Sequence, residues 1–87
     1  MTPTQAKTRL LLIDDHQLVR ESLACRLEDE PDLAVPHTAA DANEGLTLAE
    51  ANVYDVIVLD IDMPGIGGLE TAKLAASRGV PVIFITA

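Results

Sequence analysis

Four aspartates and a threonine carry the most pointed chemistry in this chain of 87 residues. Asp14 and Asp15 are adjacent and close an apolar run, residues 9–14 (RLLLID). Asp60 closes a second run, 56–60 (VIVLD), and Asp62 follows two residues on. Thr86 ends a third run, 80–86 (VPVIFIT). Carboxylates gathered at neighbouring strand ends repel one another, which favours partial protonation or a bound cation. All the candidate ligands are oxygens, so a hard ion is expected. Mg²⁺ suits such a set, because it takes one or two carboxylates and keeps several waters. A partly hydrated Mg²⁺ beside Asp60 would neutralise an incoming phosphoryl group, and Asp60 would then attack phosphorus to form an aspartyl phosphate. Thr86 offers a hydroxyl able to donate to a phosphoryl oxygen.

Each of these residues also has a plainer reading. An Asp just past a strand often forms a turn or caps a helix. Capping is a poor explanation for two adjacent Asp at one strand end together with another Asp at the end of a different strand. Thr86 taken alone is an ordinary strand residue. His16 reads as a surface residue at a helix start, since no second His, Cys or carboxylate pair frames it in the sequence. His37 reads as an edge-strand residue. Cys25 falls on the border of a helical face, where it would pack as a small hydrophobe. Gly65, Gly67 and Gly68 follow a strand but lack the Gly-Lys-Ser/Thr of a phosphate-binding loop; a turn that lets the backbone approach an ion is the simpler reading.

The elements that would position these residues follow from the hydrophobic pattern. The runs at 9–14, 56–60 and 80–86 are too short for helices and are continuously apolar, as in strands buried on both faces. Between them, 17–28 carries Val19, Leu23 and Leu27 on one helical face with Leu18 beside them. Glu30-Pro31-Asp32 stops that helix. Residues 33–39 form a weak strand whose Pro36 indicates an edge position. Asp41 and Glu44 resemble a capping box opening a helix to about residue 50, which would bury Ala42, Leu46 and Ala49. Residues 63–68 are a loop by their Pro and Gly content. A last helix is expected over 69–77, with Gly79 just past its end. The alternation β-α-β-α-β-α-β means an α/β fold, a doubly wound parallel sheet with right-handed crossovers. In such sheets ligands bind at the carboxyl ends of the strands, where the aspartates lie.

Composition bounds the function. With 48% hydrophobic and 23% charged residues the chain is globular, and at this length it holds one domain at most. Residues 1–8 read as a disordered arm and 9–87 as the domain. Fourteen acidic against six basic residues leave a net charge of −8, which argues against direct nucleic-acid binding. The single cysteine excludes an internal disulfide. No signal-peptide core or membrane span is visible, so a cytoplasmic location is expected.

The motifs Leu11-Leu12-Ile13-Asp14-Asp15-His16, Val56-Ile57-Val58-Leu59-Asp60-Ile61-Asp62-Met63-Pro64-Gly65 and Ile83-Phe84-Ile85-Thr86-Ala87 together resemble the receiver domain of two-component response regulators. The start Asp-Asp-His, with Leu18-Val19-Arg20-Glu21 behind it, is similar to the NarL/FixJ-type subfamily, whose members usually carry a C-terminal helix-turn-helix. The resemblance implies a flavodoxin-like receiver fold with Asp60 as phospho-acceptor. It implies Mg²⁺ held by Asp15, Asp60 and the backbone carbonyl of Asp62, with Asp14 acting through water, and Thr86 as a switch hydroxyl. It implies a sensor histidine kinase as phosphoryl donor, no enzymatic turnover, and transcription regulation through an output domain outside this chain.

The family's sheet has five strands in the order 2-1-3-4-5. Set against it, this chain is expected to show the order 2-1-3-4, with the fifth strand, its lysine and aromatic switch residue, and the last two helices missing. Metal binding would survive that loss and signalling would suffer. The bare apolar edge of the fourth strand would invite self-association, or the chain is a piece of a longer protein. Two alternatives compete: a receiver-like adaptor that is never phosphorylated, and a phosphatase fragment of the haloacid-dehalogenase type. The second is disfavoured because Pro64 stands where that family has Thr or Val, and because its nucleophile lies on the first strand.

Overall fold

The computed structural model describes residues 7–61 and 67–85. Its elements run β1 (Thr8–Ile13), α1 (Gln17–Glu28), β2 (Leu33–Ala39), α2 (Ala42–Ala51), β3 (Val56–Asp60), α3 (Gly67–Ser77) and β4 (Val82–Ile85). All strand pairs are parallel, and the sheet order is β2-β1-β3-β4, as expected. Thr8 belongs to the first strand, where its N–H donates to Asp32 O at 2.8 Å, so the arm expected over 1–8 gives up at least that residue. Residues 1–6 lie outside the described part.

The continuous apolar runs are explained by two cores, one on each side of the sheet. Leu10 and Leu12 of β1 join Val35 and Val58 under α1, with Leu23, Ala24, Leu27 and Ile85 packed against them. Leu11 and Ile13 point the other way and join Ile57, Leu59, Ala49 and Ala75 under α2 and α3. Strand residues alternate between faces, so a strand covered on both sides must be apolar at every position.

Pro36 sits in an edge strand, as its missing donor requires. The β1–β2 register shifts between Arg9 and Leu11, an irregularity opposite the segment that contains Pro36. Beside it, the His37 Nδ1 and Tyr54 hydroxyl lie 2.7 Å apart, which gives the buried phenol a polar partner. Burial raises the pKa of Tyr54.

The helix ends follow local chemistry. Asp41 caps α2 by accepting from the Glu44 N–H at 2.8 Å. Gly79 adopts φ 70°. The N–H groups of Val80 and Gly79 return to Ala75 O at 2.8 Å and Ala76 O at 3.1 Å, closing α3 in a Schellman turn.

Helix faces differ from expectation. In α1, Leu18 is 77% and Val19 41% exposed, and the face on the sheet is Leu23, Ala24 and Leu27. The Arg20 guanidinium reaches back to donate to Asp14 O at 2.8 Å, which ties the first turn of the helix to the end of β1. Cys25 is exposed rather than packed, because it lies on the far side of this rotated face. In α2 the buried positions are Gly45 and Ala49, while Ala42 and Leu46 are only half-buried. A Cβ on Gly45 would lie 2.5 Å from Ile13 Cδ1, so this glycine lets α2 approach β1 closely. Helix α3 begins at Gly67, two residues before the expected start.

Candidate functional site

Register brings the acidic residues together. Ile13 of β1 pairs with Leu59 of β3, so the next residues, Asp14 and Asp60, emerge side by side at the carboxyl end of the sheet. Asp60 in turn pairs with Ile85 of β4. Asp14 remains tied to β2 through its N–H, which donates to Ala39 O at 3.1 Å. Asp14 is 0% and Asp60 1% exposed, whereas Asp15 faces solvent.

The carboxylates of Asp14, Asp15 and Asp60 and the imidazole of His16 form one cluster. One ligand atom from each lies within 4.8 Å of the others. Asp14 Oδ1 accepts the His16 N–H at 2.8 Å, while the buried Asp14 Oδ2 has no hydrogen-bond partner. Helix α1 starts directly behind the pair, and the positive end of its dipole favours negative charge here. Even so, three carboxylates in such a space repel one another, and a buried oxygen without a donor is costly. An oxygen-rich site with an unsatisfied buried carboxylate oxygen fits a hard divalent cation.

The excess charge has a consequence for stability. Asp14→Asn keeps an acceptor for the His16 N–H and removes a buried negative charge. It is expected to stabilise the metal-free protein by about 1–3 kcal/mol. Thermal unfolding in the presence of a chelator checks this, and a lower midpoint than wild type would contradict it.

Of the residues singled out in the sequence, Asp14, Asp15 and Asp60 are brought together. Asp62 and Thr86 lie outside the described residues, as does the loop at 63–66. His16 is exposed at the start of α1, as its surface reading has it, but the structure also sets it among three carboxylates. Its Nδ1 lies 3.0 Å from Asp15 Oδ1, 3.5 Å from Asp14 Oδ1 and 4.0 Å from Asp60 Oδ2. Adjacency to the aspartate pair was the available signal; the approach to Asp60 is a long-range contact that no local pattern encodes.

The family model described as "Response regulator receiver domain" matches residues 10–87. Among curated proteins, the transcriptional regulatory protein LiaR of Bacillus subtilis is 48% identical over 65 residues, covering 75% of this chain and 31% of that protein. A protein-glutamate methylesterase/protein-glutamine glutaminase of Bradyrhizobium diazoefficiens is 38% identical over 79 residues, 90% of this chain and 22% of that one. The chain thus spans a third or less of either relative. Solved structures are similar as well. Response regulator TrrA of Thermotoga maritima, in complex with Mg²⁺-BeF, has TM-score 0.79 and 35% identity over 92% of this chain and 70% of that one. A chain in the complex of the CheA3 P1 domain with CheY6 from R. sphaeroides has TM-score 0.82 and 27% identity over 94% and 65%.

Proposed function

Because this chain belongs to the response regulator receiver domain family, we propose that it is a phospho-accepting module of two-component signalling in which Asp60 takes a phosphoryl group from a histidine kinase. The observation that carries the reading is the meeting of buried Asp14 and Asp60 with Asp15 in a single oxygen-rich cluster at the carboxyl end of the sheet. The Mg²⁺-BeF complex of TrrA and the complex of the CheA3 P1 domain with CheY6 support it by analogy.

Asp15 and Asp60 would hold Mg²⁺ directly together with the backbone carbonyl of Asp62, and Asp14 would hold it through water. When bound, the cation neutralises charge on the transferring group and on the acids around it. A carboxylate oxygen of Asp60 attacks phosphorus as the bond from phosphorus to the donor imidazole breaks. The leaving imidazole keeps the bonding electron pair and takes up a proton. Register between β1 and β3 sets Asp60 beside Asp14, which would hold the attacking carboxylate in position. Thr86 would donate its hydroxyl to a phosphoryl oxygen. The chain acts as an acceptor in this scheme and does not turn over a substrate. It works in the cytoplasm and controls an output domain encoded outside these residues. LiaR favours transcription as that output, and the methylesterase relative marks an enzymatic output as the second reading.

Incubation with acetyl phosphate and Mg²⁺, followed by intact mass measurement, tests the proposal. One phosphoryl adduct is expected on the wild type and none on Asp60→Ala. Absence of an adduct on the wild type would favour the adaptor reading.

The edge of the sheet suggests a second property. Strand β4 is terminal among the described residues, and Ile83 and Phe84 are 53% and 55% exposed. Unpaired strand edges with apolar side chains template pairing with another chain. The 87-residue chain is therefore expected to self-associate through β4. Light scattering at high concentration should give a mass above that of the monomer, and a monodisperse monomer would contradict this.

A further inference from the structure

The geometry points to His16 as an additional ligand of the cation site, making the site selective for borderline transition ions such as Co²⁺ over Mg²⁺. This rests on the reading of the acidic cluster as a divalent-cation site and adds a nitrogen donor to it.

His16 occupies the N-cap position of α1, yet its side chain makes no capping hydrogen bond. Its Nδ1 faces the acids instead, at 3.0, 3.5 and 4.0 Å from oxygens of Asp15, Asp14 and Asp60. Those spacings suit ligands of a common ion. With metal–ligand bonds of about 2.1 Å, adjacent octahedral ligands lie about 3.0 Å apart and opposite ones about 4.2 Å apart. All the ligand atoms of the cluster lie within 4.8 Å of one another, at most about half an ångström beyond that. The side chains of His16 and Asp15 are 57% and 31% exposed and have room to close it. A second, independent sign of a missing partner is Asp14 Oδ2, buried and without a hydrogen bond.

Ligation uses the Nδ1 lone pair and leaves the ring proton on Nε2. Imidazole suits Zn²⁺, Cu²⁺, Ni²⁺ and their neighbours, whereas Mg²⁺ prefers carboxylate, carbonyl and water. A site of three carboxylates alone would show a smaller bias, since a nitrogen donor enlarges the preference for transition ions over Mg²⁺. His16 thus converts a hard-ion site into one that discriminates by softness.

Isothermal titration of the chain with Mg²⁺ and with Co²⁺ tests this, on the wild type and on His16→Ala and His16→Gln. Co²⁺ is expected to bind the wild type about tenfold or more tighter than Mg²⁺. Both variants should lose about 10–100-fold in Co²⁺ affinity, a loss of the size seen when a supporting group is removed from a metal site, and keep Mg²⁺ affinity within about twofold. The visible absorption band of bound Co²⁺ should shift in the variants as nitrogen leaves its coordination shell. Equal changes for the two ions, or tighter binding of both, would show that His16 is only a counter-charge and overturn the inference. A wild type that binds neither ion would overturn the cation-site reading itself.

Discussion

Removing Mg²⁺ with a chelator is expected to slow formation of the Asp60 acyl phosphate by about 100-fold or more. The incoming phosphoryl donor is an anion, and it must approach a carboxylate that already has two others beside it. Asp14 and Asp60 are buried, so water screens their charge poorly. A cation that neutralises this charge is worth several kcal/mol in the transition state, and each 1.4 kcal/mol is a factor of ten in rate. A time course of the phosphoryl adduct from acetyl phosphate, with and without chelator, reads the effect. Equal rates would mean that the cluster works without a metal.

Leu12→Ala is expected to destabilise the chain by about 2–5 kcal/mol, as deletion of a fully buried leucine does. Leu12 is 0% exposed in the strand that precedes the aspartate pair. It packs with Leu10, Val35 and Val58 on the side of the sheet covered by α1. That helix buries none of its own residues completely, so the surrounding side chains are poorly placed to refill a cavity. Small domains have only about 5–15 kcal/mol in total, so this loss takes a large share. Metal binding should weaken in parallel, because β1 and β3 must be in register for Asp14 and Asp60 to meet. Urea unfolding measures the change, and a loss below about 1 kcal/mol would contradict the packing described.

The strands were legible in the sequence because of where they lie. Strands β1 and β3 are covered on both sides, and β3 matched its expected limits of 56–60 while β1 differed by one residue at each end. The caps at Asp41 and Gly79 were legible for a similar reason: their chemistry is local. Helix rotation was not. Val19, Leu23 and Leu27 make a sound stripe on paper, yet the sheet sees Leu23, Ala24 and Leu27, and Arg20 anchors to the Asp14 carbonyl in the connection between β1 and α1. Gly45 was also missed, since a glycine within a helix carries no hydrophobic signal, and its role is to admit Ile13. In the site, Asp14, Asp15 and Asp60 were found because strand ends collect ligands in parallel sheets. The part played by His16 depends on a residue forty-four positions away, Asp60, and only the folded chain shows it.

The central claim is that Asp60 carries the phosphoryl group, and it can be read at the level of the residue. Wild-type protein treated with acetyl phosphate and Mg²⁺ is reduced with borohydride, which converts an aspartyl phosphate to homoserine, and is then digested and sequenced by tandem mass spectrometry. Homoserine in place of Asp60, with Asp14, Asp15 and Asp62 unchanged, is the expected result. Homoserine at one of those three positions, or at none, would contradict the account.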